Sequence, residues 1–419
     1  MSGSAAATFP FWMTASGCAP INAGVPDSDT GLCFGCVAGD VRQDRAVVWL
    51  RAEPGGVIRL RYGTESHLER AAETAPFSVR NDCDDTAKIV LEDLRPATTY
   101  YYRPVVAGRK PGPIGKFVTA PAPDALTPVK FCFSGDSRES YQPFTLMDSI
   151  RAERPHFFLH LGDTIYADIG GRAVNLPDFW AKYRRNRYDL PSQRLFAETS
   201  AYVIWDDHEV TNNCRSTHPL MPVGRKAFLD YWPIAENPDD PNRLYRSFRW
   251  GKALELFILD ARQYRDPRHG TLLGTGQKKW LFEGLASSTA LFKFIATPVP
   301  FYGGGPDRWD GFPAERGELL NWIANKKISG VVFVTADVHY AAVTRIPGPL
   351  GLREVVAGPI GSPMNVITNG YAKRFEFFSN ETFNYALVTV DPRGAKPHAT
   401  VELVADNGRR LYQTKLEPA

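Results

Sequence analysis

The chain has 419 residues, 43% of them hydrophobic, enough for a large core and too long for one ordinary domain. Its 49 basic and 46 acidic residues leave a net charge of +3, which argues against dedicated nucleic-acid binding. No run approaches the roughly 20 apolar residues of a transmembrane segment. The opening MSGSAAATFPFWMTASGCAP lacks the basic n-region and long apolar core of a secretion signal. ASGC, ending at Cys18, has the ending of a lipoprotein signal but too short an apolar stretch before it, so residues 1–30 are expected to be a flexible segment. The six cysteines are too few for a disulfide framework in so long a chain. Cys33 and Cys36 form a C-x-x-C without a second pair at zinc spacing, and are expected in the core.

From residue 31 to 119, short strands recur between turn residues: AVVWLRA, VIRLRYG, AKIVLEDL, TTYYYRPVVAG and GKFVTAP. That spacing predicts an Ig- or fibronectin-like β-sandwich domain, with Leu94 and Pro96 setting a corner above one of Tyr100 to Tyr102. Residues 120–129, rich in Pro and Ala, read as a linker. Over 130–419 the rhythm changes. The strands VKFCFSGD, HFFLHLGD, AYVIWDD, LELFILD, LFKFIATPVP and GVVFVTADVH alternate with helices at PFTLMDSIRAERP, LPDFWAKYRRNRYDL, GQKKWLFEGLASS and PAERGELLNWIANK. Strands apolar on both faces between helices predict a layered α/β catalytic domain.

Polar residues gather just past the carboxyl ends of strands, where sites form in open α/β sheets. FCFSGD delivers Asp136, FFLHLGD Asp163, YVIWDDHE Asp206 to Glu209, and GVVFVTADVH Asp337 and His339. An acidic strand end alone often only caps the next helix; recurrence at several strands, with His208 and His339 among them, points to metal. Asp136, Asp163, Tyr166 and His339 offer carboxylates, a phenolate and an imidazole. A phenolate needs a strongly Lewis-acidic ion to lower its pKa from about 10, and ferric iron (Fe3+) does so. Asp163 is placed to bridge to a second ion held by Asp207, Asp337 and Asn213, oxygen donors that suit Ca2+, Mg2+ or Mn2+ better than zinc. Two such cations hydrolyse phosphate esters, with His208 over the leaving oxygen and Arg138 reaching a phosphate oxygen.

These residues fall in blocks that resemble those of the alkaline phosphatase D (PhoD-like) family of metallophosphatases. GDTIY (Gly162 to Tyr166) matches the Gly-Asp-x-x-Tyr block, and Gly135–Asp136 the first block. WDDHEVTNN (Trp205 to Asn213), ILDARQYRD (Ile258 to Asp266) and TADVH (Thr335 to His339) match blocks of that branch, and FGCVAGDVRQDRAVVWLRA its amino-terminal domain. The resemblance runs from about residue 31 to the end. It implies a four-layer α/β/β/α metallophosphatase sandwich behind the β-sandwich domain, with iron on Asp136, Asp163, Tyr166 and His339. It places calcium on Asp163, Asp207, Asp337 and Asn213, and an export to the periplasm or medium. Asp260 and Arg262 are expected to support the ligands, and Asp310 to line the site. The better-known branch has a cysteine ligand where this chain has Asp136; Cys132 lies inside the strand and is not expected to replace it. That exchange leaves manganese and zinc as alternatives to iron in the first site.

The expected function is hydrolysis of a small phosphate mono- or diester by in-line attack of a metal-bound hydroxide. A phospholipase D-type enzyme or a nuclease is the rival on the same scaffold. A binding or adhesion protein with a decayed phosphatase domain is the rival of another class, disfavoured because every strand-end block is retained.

Overall fold

The computed structural model describes residues 25–366 and 373–418. Most of the expected flexible segment, with Cys18, lies outside them. Two large sheets carry the chain. The first has the order Arg410–Leu416, His398–Ala405, Asn384–Asp391, Val129–Ser134, Phe157–Leu161, Ser200–Ile204, Val37–Gly39, Ala46–Arg51, Thr86–Leu91. The second runs Arg246–Trp250, Leu254–Ile258, Phe292–Ala296, Val331–Thr335, Arg353–Val356, Ala341–Arg345, Phe377–Ser379. They meet through aromatic rings, with Phe131 edge-on to Phe294 at 5.2 Å and Phe157 against Trp250 at 4.9 Å. Such pairs add to the area that large rings bury.

Helices cover both outer faces and complete the four layers. Leu146–Ala152 and Leu190–Glu198 pack together and lie against the first sheet. Gly274–Ser287 and Pro313–Asn325 close a second core, around Phe301, Leu281, Leu319 and Phe333, over the other. The parallel strands Val129–Ser134, Phe157–Leu161 and Ser200–Ile204 lie side by side, so their carboxyl ends open on one edge.

The 31–119 segment supplies strands to two sheets. Val57–Gly63, Thr99–Val106 and Gly115–Val118 form a small antiparallel sheet with the short strands Ala72–Glu73 and Phe77–Ser78. Val37–Gly39, Ala46–Arg51 and Thr86–Leu91 instead extend the first large sheet, joined to it where Gly39 pairs with Ala201. A Cβ at Gly39 would meet the Ala201 carbonyl at 2.5 Å, so only glycine admits this join. At the LRPATTY corner the Arg95 N–H donates to the Tyr100 hydroxyl at 3.0 Å, the side-chain-to-backbone tie of a tyrosine corner. Cys33, Cys36, Cys83, Cys132 and Cys214 are free thiols, and Cys36 and Cys132 are buried in or beside strands. Among the described residues no helix is long and apolar enough to cross a membrane.

Candidate metal centre

Three of the acidic strand ends, those of Asp136, Asp163 and Asp337, leave the strand through a backbone turn that few side chains tolerate. Asp136, Asp163, Asn213, Asp337 and His339 all have positive φ, from 52° to 68°. Non-glycine residues held this way cost energy and cluster where function requires a fixed direction. The glycines beside them allow close approach. A Cβ on Gly135 would sit 2.7 Å from that of Ala336, one on Gly162 2.6 Å from that of Asp206, and one on Gly358 2.6 Å from Oδ2 of Asp136.

The turns bring the expected residues together. Ligand atoms of Asp136, Asp163 and His339 lie within 4.8 Å of one another, as do those of Asp163, Asp207 and His208, and those of Asp206, Asp207 and Asp337. Asp163 thus belongs to two neighbouring groups. Tyr166 adds its hydroxyl to the first, 3.4 Å from His339 Nε2 and 3.0 Å from Ser362 Oγ. His339 Nε2 stands 3.5 Å from Asp136 Oδ1, and its other ring nitrogen is 2.6 Å from the Pro363 carbonyl, which fixes the ring.

The electrostatics call for cations. Asp136, Asp163, Asp206, Asp207 and Glu209 are all at most 3% exposed. Both oxygens of Asp136 and Oδ1 of Asp207 are buried without a hydrogen-bond donor. Burial first, then repulsion from Asp207, Asp206, Asp136 and Glu209, pushes the Asp163 carboxyl well above its ordinary range. Burial likewise raises Asp136 against the opposing pull of His339. Tyr166 is raised by burial and by Asp163 and Asp136. Charges taken out of water at this density are stable only when paired or bound to metal. The donor set therefore fits cations: carboxylates, a phenol and an imidazole in the first group, and carboxylates on the far side of Asp163.

Two arginines temper the third group, Asp206, Asp207 and Asp337. Arg262, 1% exposed, pairs with Asp206 through Nε at 2.5 Å and Nη2 at 3.1 Å, and stands 3.7 Å from Asp207. Arg308 donates to Asp337. Against burial, Arg262, His208, the Asn213 N–H and Arg308 hold the Asp207 carboxyl below its ordinary range. Asn213 reaches Asp207 Oδ2 with its backbone N–H, at 2.5 Å, while the residue itself is exposed. Asp260 accepts the indole N–H of Trp205 and the backbone N–H of Arg262 and Gln263, all at 3.0 Å, and so shapes the loop that aims Arg262. Asp310 does not line the site: Arg316 and the Gly305 N–H claim its carboxylate. The same segment reaches the centre through Asp307, which binds Arg262 Nη1 at 2.9 Å, and through Arg308.

His208 is held by Asp168, Nδ1 to Oδ1 at 2.7 Å, and its ring lies against Tyr166 at 4.3 Å. Asp168 also takes the Asn212 N–H at 2.8 Å. Arg138 sits at the rim, its guanidinium 6.0 Å from the Tyr166 ring centre, and among the described residues no carboxylate pairs with it. Asp168, Ser362 and Arg308 were not singled out from the sequence, and Glu209 was named only as part of the acidic strand end, without a role. Only Asp168 carried a signal, as the second carboxylate of the stretch DTIYAD.

Comparison with known proteins agrees with this layout. The model of the PhoD-like phosphatase amino-terminal domain matches residues 19–121, and that of the PhoD-like phosphatase matches residues 131–396. Alkaline phosphatase D of Bacillus subtilis (strain 168) is 27% identical over 388 residues, covering 76% of this chain and 66% of that protein; the chain thus spans just under two thirds of that relative's length. A solved structure of PhoD superposes with a TM-score of 0.82 at 23% identity over 93% of both chains. Purple acid phosphatase PPD1 from yellow lupin (Lupinus luteus) seeds superposes at 0.70 and 13% identity, over 92% of this chain and 75% of its own. At these identities the two structures speak for the fold. The match to residues 131–396 takes in more than half of the sequence and every strand end of the centre, and the chain belongs to the PhoD-like phosphatase family.

Proposed function

We propose that this chain is a metal-dependent hydrolase of small phosphate mono- and diesters. The carrying observation is the double membership of Asp163, whose carboxylate lies within 4.8 Å of Asp136 and His339 in one group and of Asp207 and His208 in the other, with Asp207 shared in turn with Asp337. In this reading Asp136, Asp163, Tyr166 and His339 would hold ferric iron, and Asp163, Asp207 and Asp337, with Asn213 as a further oxygen donor, would hold calcium. Bound there, the cations would supply Lewis acidity and neutralise the charge that builds on the phosphoryl oxygens.

The chain's own residues then do the rest. Asp168 occupies Nδ1 of His208, which leaves Nε2 free to meet the oxygen of the departing alcohol. Arg138, with no carboxylate to satisfy it among the described residues, offers its planar fork to a phosphoryl oxygen. Glu209 binds the loops of Asp163 and Asp206 together, so the acidic groups keep their spacing whether or not substrate is present. Family resemblance adds an exported location, which fractionation of the native cell would test.

The experiment is hydrolysis of a chromogenic monoester and a diester by the purified protein, before and after treatment with a calcium chelator. Activity that the chelator abolishes and calcium restores supports the reading. Activity indifferent to the chelator removes the oxygen-rich calcium site from it.

A further inference from the structure

Behind the metal centre lies a second, smaller feature that the proposed reaction does not use. A cavity of about 30 Å³ is lined by Cys36, His160, Tyr183, Arg187, Phe196 and Trp232 among others, and no aspartate or glutamate lines it. Arg187, the last residue of helix Leu176–Arg187, is 7% exposed, and among the described residues no carboxylate pairs with it. Its guanidinium lies over Trp232 at 3.9 Å, Trp49 at 4.7 Å and Phe196 at 5.4 Å, and Nη2 donates to the Tyr231 carbonyl. Aromatic faces stabilise the charge but give Nη1 no acceptor, and Nη1 is buried without a partner.

Two more buried nitrogens of the same lining are unpartnered, Nε1 of Trp232 and Nδ1 of His160. The indole can only donate. His160 Nε2 lies 3.1 Å from Ser137 Oγ, whose hydroxyl donates to the Asp163 and Thr164 carbonyls at 3.4 Å and so accepts from Nε2; the donors that face the cavity unpaired are therefore those of Arg187 and Trp232. Unsatisfied buried donors are rare in folded proteins and call for a missing acceptor. A water accepts two hydrogen bonds and brings two protons of its own. A halide accepts from Arg187 and Trp232 without bringing protons of its own, and supplies the counter-charge that Arg187 lacks. A cavity of this size holds about two waters, or one such ion, and no organic ligand.

We propose that this cavity is a binding site for a small monovalent anion of the halide class, held by Arg187 and Trp232. The site abuts the centre without belonging to it: Asn186, next to Arg187, donates to the carbonyls of Ser137 and Thr164, the residues that follow Asp136 and Asp163.

The test compares the whole protein in gluconate, an anion too large for the cavity, with chloride at the same ionic strength. The thermal midpoint is expected to rise by about 2 °C or more in 100 mM chloride, by linkage to a ligand bound only when folded. Trp232→Phe keeps a ring beneath the guanidinium and removes one donor, and should weaken the chloride response. Arg187→Met should abolish it. Wild-type crystals soaked in bromide should show an anomalous peak between Arg187 Nη1 and Trp232 Nε1. Equal midpoints in the two salts, a chloride response that survives in Arg187→Met, or a cavity holding only water in the bromide-soaked crystals would each overturn the proposal.

Discussion

Glu209 accepts the backbone N–H of Asp163 at 3.2 Å, and the same carboxylate oxygen takes that of Asp206 at 2.8 Å. Its other oxygen receives the N–H and hydroxyl of Thr164, both at 2.6 Å. One fully buried side chain thus sets the distance between two strand ends. In Glu209→Gln the amide NH2 must face a backbone N–H in either orientation. The variant is expected to lose about 2 kcal/mol or more of stability and about 10–100-fold in metal affinity. Urea unfolding and metal titration check both.

The pair His208–Asp168 makes a different prediction. Asp168 fixes the orientation and tautomer of the ring through a 2.7 Å contact. Asp168→Asn should lower kcat by about 10–100-fold while leaving KM within a few-fold. A change confined to KM would mean that the pair serves substrate binding instead.

Tyr166 carries the test of metal identity. If ferric iron occupies the group of Asp136, Asp163 and His339, the phenolate gives the purified protein a visible charge-transfer band. Tyr166→Phe should abolish the band while removing only the hydroxyl that Ser362 contacts at 3.0 Å. A colourless native protein containing manganese or zinc would reassign the first site, as the carboxylate of Asp136 in place of a thiolate permits.

Stability should fall in acid through His160. Burial, then repulsion from Arg187, lowers its pKa to about 3 from an ordinary 6.5. Between those values the unfolded chain binds the proton that the folded one refuses. The contribution is therefore complete above about pH 6.5 and is lost as the pH falls toward 3, up to about 5 kcal/mol in all. In chloride-free buffer, His160→Asn should show a shallower loss of stability over that window than the parent. Parallel curves would show that the imidazole ionises in the folded protein.

The strand ends were legible because each apolar run stops at a recognisable polar signal. Asp136 and Asp163 each follow a glycine whose missing Cβ lets a neighbouring loop close in. The layered α/β arrangement was readable for the same reason, as strands apolar on both faces alternating with helices. What stayed hidden is nonlocal. Nothing near Gly39 reveals that it will pair with Ala201 and carry three amino-terminal strands into the larger sheet. Helix Met221–Tyr231 was concealed by Gly224, which is there because a Cβ would strike the Glu209 carbonyl at 2.7 Å. Asp310 looked like a site residue, but Arg316, six residues further on in helix Pro313–Asn325, claims it, and Arg308 of the same segment reaches Asp337 instead.

The claim beneath all of this is that Asp163 serves two cations at once. Elemental analysis of the purified Asp163→Asn protein, beside the parent prepared identically, tests it most directly. Two metals per chain in the parent and the loss of both in the variant is the predicted result. A variant that keeps either metal at full stoichiometry would contradict the shared carboxylate and, with it, the paired centre.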